Sequence, residues 1–203
     1  MNEAPRGRER AVEERELHFA PQSPLLAWRL FRIRRDEHGR ALLSSPMYDD
    51  PDPTPWPKAK TAACTKEHAA PAAGCRCGIY GAIPGTLDSL PGYLRDTAHD
   101  RDPWAYAQIA CSGRVFVDMR GVRAEHAEIV RIAIAEQCWP DGTALREARR
   151  GLSERYGVPI GSAADVPAWL SNPRGEASGR ADGREGPPPD GATLDLDRLD
   201  LQP

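Results

Sequence analysis

The hydrophobic positions of this chain fall into short runs separated by turn-forming residues. The run from Leu26 through Trp28, Leu30 and Phe31 to Ile33 is rich in aromatic and branched side chains; Asp36 to Gly39 suits a turn, and Ala41 to Ser44 returns. Residues 26–44 therefore predict a strand–turn–strand hairpin. Four prolines within 49–57 preclude a hydrogen-bonded ladder, so this stretch is expected to be an extended surface loop anchored by Trp56. Residues 60–68 are expected to begin extended and end in one helical turn. Residues 75–82 suit a short strand interrupted by glycine, and a short helix is expected over 86–97.

The clearest strand signal covers 105–119, where Tyr106, Ile109, Val115, Phe116 and Val117 supply β propensity and Gly113 suits a bulge or bend. Residues 124–135 are ambiguous. Ala124, Ala127, Val130 and Ile134 fit a helical stripe, whereas the run Ile129-Val130-Arg131-Ile132 fits a strand equally well. The best helix is 143–156, with Asp141 or Thr143 as N-cap and Leu145, Ala148, Leu152 and Tyr156 on one face. Gly157 stops it, and Pro159 follows. No strand–helix alternation demands a parallel sheet, so the fold class is α+β with a mainly antiparallel sheet and few helices.

Composition changes the picture at the ends. Of 203 residues, 20 are Pro and 18 Gly, and they concentrate outside the periodic segments. Residues 1–24 are charged and poor in apolar side chains, which predicts a disordered lead-in. Residues 171–192 repeat Gly and Pro without one large apolar residue, which predicts a flexible linker. Residues 25–170 remain as a single α+β domain. Residues 193–203 form an acidic-leucine tail, in which Leu194, Leu196, Leu199 and Leu201 alternate with aspartates; such a segment suits docking on a protein partner.

The net charge of −3 divides into −1 over 1–24, +2 over 25–150 and −4 over 151–203. This is not the basic field that nucleic-acid binding requires. No apolar run approaches the roughly 20 residues that span a bilayer, and residues 1–16 hold no secretory apolar core. Five cysteines, an odd number, without such a leader point to a reducing cytoplasm.

Three of those cysteines lie within fourteen residues, as Cys64, Cys75 and Cys77, with His68 among them. Thiolate and imidazole are the ligands that tetrahedral zinc prefers. A helical turn would place Cys64 and His68, four apart, on one face, and an extended segment would do the same for Cys75 and Cys77. Pro71 and Gly74 let the connection fold back. The competing readings are thiols packed in the core and a reactive thiol.

The run Cys64, His68, Pro71, Cys75-Arg76-Cys77-Gly78-Ile79-Tyr80, followed by Gly113-Arg114-Val115 and Gly121-Val122-Arg123-Ala124-Glu125-His126-Ala127, resembles an uncharacterised family of small actinobacterial proteins. That family carries a Cys…His…Cys-x-Cys-Gly-Ile-Tyr-Ala motif. The resemblance covers about 28–160 and departs at Gly81, Val122 and His126. It implies one domain and a non-accidental cysteine cluster, and it implies no reaction.

Arg123, Glu125 and His126 place a cation, a carboxylate and an imidazole within four positions, a set that a small enzyme can use for general base catalysis on an anionic substrate. No phosphate-binding glycine loop and no serine elbow occurs. Residues 152–159 also suit the first helix and turn of a helix-turn-helix, with a reader helix from Ser162 and Asp165 completing a capping box. The sequence thus favours a non-catalytic cytoplasmic binding or adaptor module with a structural zinc site. A small enzyme using Arg123, Glu125, His126 or a reactive cysteine is the alternative, and a DNA-binding protein the third reading.

Overall fold

The computed structural model describes residues 14–45, 55–83, 103–118 and 121–166. The spine is one long antiparallel pair, β6 (Trp104–Asp118) and β7 (Gly121–Ile134), in register from Ala105 opposite Ile134 to Asp118 opposite Gly121. (The strands before it are β1, Arg15–Phe19; β2, Leu25–Arg35; β3, Ala41–Ser44; β4, Ala59–Thr61; and β5, Ile79–Gly81.) β2 pairs with the first half of β6 and β1 with the second, while β5 and β4 lie in turn along β7. Beyond β5, Ala82 exchanges both backbone hydrogen bonds with Trp28 of β2, at 2.8 and 2.7 Å. The sheet therefore curls until β5 meets β2.

The hairpin expected over 26–44 is present as β2 and β3, turning at Asp36–Gly39, where the Asp36 carboxylate accepts from the His38 and Arg40 amides. The ambiguous segment is strand, and its helix-like spacing has a local cause. Gln108 faces Arg131 and Ile109 faces Ile129, so Val130 is an extra residue in β7; near Ser112 the extra residue belongs to β6. Each bulge steps the in–out alternation by one. Buried positions consequently run 122, 124, then 127, 129, then 132, 134, which imitates a helical stripe.

One helix, α1 (Gly142–Tyr156), follows β7. Asp141 caps it by accepting from the amides of Thr143 and Ala144, and Gly157 ends it in left-handed backbone. Its face of Ala148, Leu152 and Tyr156 packs on the sheet beside β3. The helix carries the chain back so that β8 (Ile160–Ser162) lies parallel to β7. The sheet is accordingly mixed, not purely antiparallel, because a helical crossover permits a parallel partner.

The main core gathers Ala27, Phe31, Leu43, Ile109, Ile129, Ile132 and Leu152. A smaller cluster of Trp28, Leu30, Tyr106, Ala133 and Val166 covers the opposite face, as alternation along β2 requires. Trp56 is the anchor expected of its loop: it is buried edge-on to Phe31, and its carbonyl accepts from the Tyr156 hydroxyl.

Four expectations are corrected. The lead-in is not wholly without structure, since Arg15–Phe19 alternates Leu17 and Phe19 against the core and pairs with β6. Residues 65–68 form turns, not a helical turn, and the strand expected over 75–82 is confined to Ile79–Gly81. After α1 comes a strand, and Ser162 and Asp165 do form a capping box, but over a three-residue 3-10 turn too short to enter a groove. The helix expected over 86–97, the linker over 171–192 and the leucines of 193–203 lie outside the described residues. Among the described residues no helix is long and apolar enough to cross a membrane.

Candidate metal centre

The loop between β4 and β5 brings Cys64, His68, Cys75 and Cys77 together, with one ligand atom from each and all four within 4.8 Å of one another. Cys64 Sγ lies 3.8 Å from Cys75 Sγ and 3.3 Å from His68 Nε2. A tetrahedral zinc with bonds of about 2.0–2.3 Å has ligand–ligand edges of about 3.5–3.8 Å, so these side chains already stand near the required separation. All four are half-buried, and Cys75 and Cys77 lie outside both hydrophobic core clusters. The donor set fits a borderline-soft divalent ion.

Neither a helix nor a strand produces this convergence. The chain turns tightly after Cys64, whose sulfur accepts from the Lys66 amide at 3.4 Å, and Glu67 takes a positive φ of 59°. Gly78 then brings the loop back against the sheet. Its φ is +127°, and a Cβ there would stand 3.1 Å from both the Arg123 and Pro71 Cβ atoms. Only glycine meets both demands without displacement.

Further contacts hold the loop that carries these four side chains. His68 Nδ1 lies 3.2 Å from the Ala69 carbonyl, which can only accept, so the tautomer with its proton on Nδ1 satisfies this contact and is the one that would offer Nε2 to an ion. Arg114 Nη2 donates to the same carbonyl at 3.1 Å. Arg123 Nη1 donates to the carbonyls of Cys75 and Cys77, the latter at 2.8 Å, and the Tyr80 hydroxyl donates to the Arg76 carbonyl.

The thiols differ in acidity. The Cys77 amide, and after it the His68 ring, hold the Cys75 thiol down at about 6, whereas burial pushes the Cys77 thiol up. Burial pushes Cys111 up to about 12 and raises Cys138, so thiol chemistry near neutrality falls to the cluster.

The set Arg123, Glu125 and His126 does not converge as one catalytic group. Arg123 is buried and committed to the loop carbonyls and to Glu14. Glu125 and His126 form a separate run: His126 Nε2 is 3.3 Å from Glu125 Oε1, and its Nδ1 is 3.0 Å from the hydroxyl of Thr61, its cross-strand partner. Thr61 and His126 line a surface cavity of about 240 Å³ with Lys60, Ser112 and Glu128, and Glu125 does not reach it. The residues that sequence reasoning missed are Glu14 and Arg114, and Arg123 in its actual role. Each lies dozens of positions from the groups it holds, and no local pattern reports such a contact.

No family model, no curated protein and no solved structure matches this chain.

Proposed function

We propose that this protein is a non-catalytic binding module whose β4–β5 loop is clamped by a structural metal ion, zinc by donor type, held by Cys64, His68, Cys75 and Cys77. The observation that carries the reading is the approach of four ligand atoms within 4.8 Å from a loop that has little regular structure of its own. Four protein ligands fill a tetrahedral ion's coordination and leave no position for substrate, which is the pattern of structural sites. When bound, the ion supplies a cross-link between Cys64–His68 and Cys75–Cys77, and no step of a reaction. The partner-binding element is the acidic-leucine tail with Leu194, Leu196, Leu199 and Leu201, a reading that its sequence pattern supports.

A strong zinc chelator should lower the melting temperature of the full chain, and one equivalent of zinc should restore it. A melting curve indifferent to both would remove the structural site. Deleting 172–203 should leave that metal-dependent melting intact, since the tail is assigned to binding alone.

One observation favours a second reading. The Thr61–His126–Glu125 run has the order hydroxyl, imidazole, carboxylate, and its first two members line a cavity, an arrangement that a small hydrolase can use. Turnover of an activated ester that His126→Ala abolishes would support it; equal rates would return the run to a cross-strand contact.

A further inference from the structure

This inference rests on the metal reading of the β4–β5 loop. Arg123 is the buried cation of the site, 7% exposed, on a strand whose neighbours at that position are Phe116 in β6 and Tyr80 in β5. Its guanidinium lies over the Phe116 ring at 5.0 Å. One nitrogen, Nη1, reaches three loop carbonyls, those of Ala72, Cys75 and Cys77, two of which belong to ligand residues. The other, Nη2, is bound at 2.6 Å by the carboxylate of Glu14, the residue that leads into β1. The loop and the first strand are thus joined through one side chain.

Three thiolates, a neutral imidazole and a dication would leave the loaded centre with one net negative charge, which the Arg123 guanidinium beside the ligand backbone accommodates. The guanidinium also holds the carbonyls of Cys75 and Cys77 at set positions, which fixes where their side chains begin. Arginine suits the task because its planar fork engages both sides at once, which a lysine ammonium cannot do from one position.

We infer that Arg123 is the positioning residue of the metal centre and that, through Glu14, it couples metal loading to the docking of β1. Such coupling is reciprocal: metal holds β1 down, and a docked β1 raises metal affinity. Removing a contact to the ligand shell should weaken metal binding about 10–100-fold.

The test uses the full-length chain with cobalt as spectroscopic probe and zinc in competition with a chromophoric chelator. Wild type should bind one cobalt with thiolate charge-transfer and tetrahedral d–d bands. Arg123→Met should weaken zinc about 10–100-fold and shift the cobalt d–d bands, and Arg123→Lys should recover only part of the loss. Glu14→Gln, which leaves the Arg123 side chain in place, guards against misfolding of the arginine variants. In wild type, zinc should slow amide exchange over residues 15–19; in Glu14→Gln that zinc dependence should disappear while one cobalt still binds. Unchanged affinity and bands in Arg123→Met, or zinc-dependent protection of 15–19 that survives Glu14→Gln, would overturn the inference and leave the metal site standing. A wild-type chain that takes up no cobalt would overturn both.

Discussion

The sulfur of Cys64 stands 3.8 Å from that of Cys75, although eleven positions and no shared element of secondary structure link them. The intervening chain achieves this through turns at 65–68 and the fold-back at Gly74, and the loop is held to the sheet by Arg114 and Arg123. The relationship belongs to the loop's own shape, so changes that deform the loop should act on metal binding before they act on the core.

Gly78→Ala is the most direct such change. The added methyl meets Arg123 and Pro71 in a backbone conformation that L residues avoid. Zinc affinity should fall by at least about tenfold. The far-ultraviolet circular dichroism should stay that of the wild type, because β6, β7 and α1 are untouched. A zinc titration identical to wild type would show that the loop tolerates a different path.

Metal should also shield a thiol. In metal-free protein the Cys75 thiol, lowered to about 6, is mostly thiolate at pH 7 and should alkylate faster than the other cysteines. Its rate should climb between about pH 5 and 7 and then level off, since a depressed pKa brings the thiolate in at lower pH. Zinc should suppress the reaction. Peptide mapping after a short iodoacetamide pulse reads all three statements; modification of Cys111 ahead of Cys75 would contradict them.

Away from the loop, the Tyr156 hydroxyl ties α1 to two other segments by accepting from the Leu43 amide at 2.9 Å and donating to the Trp56 carbonyl at 3.0 Å. Both partners are buried. Tyr156→Phe strands a backbone donor and an acceptor together, which costs about 1–3 kcal/mol. Urea denaturation followed by tryptophan fluorescence measures the loss, and a change under about 0.5 kcal/mol would mean that water satisfies these groups.

Acid should act on the helix through its cap. The amides of Ala144 and Thr143 donate to the Asp141 carboxylate and lower its pKa from the ordinary 3.8. A depressed carboxylate contributes stability that is complete above its unfolded value and lost as pH falls through the folded one. Asp141→Ala should therefore lower the melting temperature at pH 7, and the gap from wild type should narrow below about pH 4. A gap that stays constant from pH 7 to pH 3 would refute the assignment.

These elements differ in how far the sequence disclosed them. The helix was legible because its signals are local: a cap at Asp141, an apolar face every three or four residues and a glycine stop. The 26–44 hairpin was legible for the same reason. β7 was not, because two bulges shift its alternation and only pairing with β6 decides the matter. β1 carries the right alternation in Leu17 and Phe19, but Arg15, Glu16 and His18 hide it in a charged segment. The four clustered side chains could be named from their spacing, whereas the turns that gather them could not. The arginine that holds them looked catalytic because its distant partners, Glu14 and the loop carbonyls, are set by the sheet.

Metal content decides whether the cysteine–histidine loop holds a structural ion. The full chain, purified without a histidine tag, is compared by elemental mass spectrometry with a Cys75→Ser/Cys77→Ser variant, and both are melted. The wild type should carry one metal ion per chain, and the variant should lose it and melt at a lower temperature. No metal in either protein, with superimposable melting curves, would contradict it.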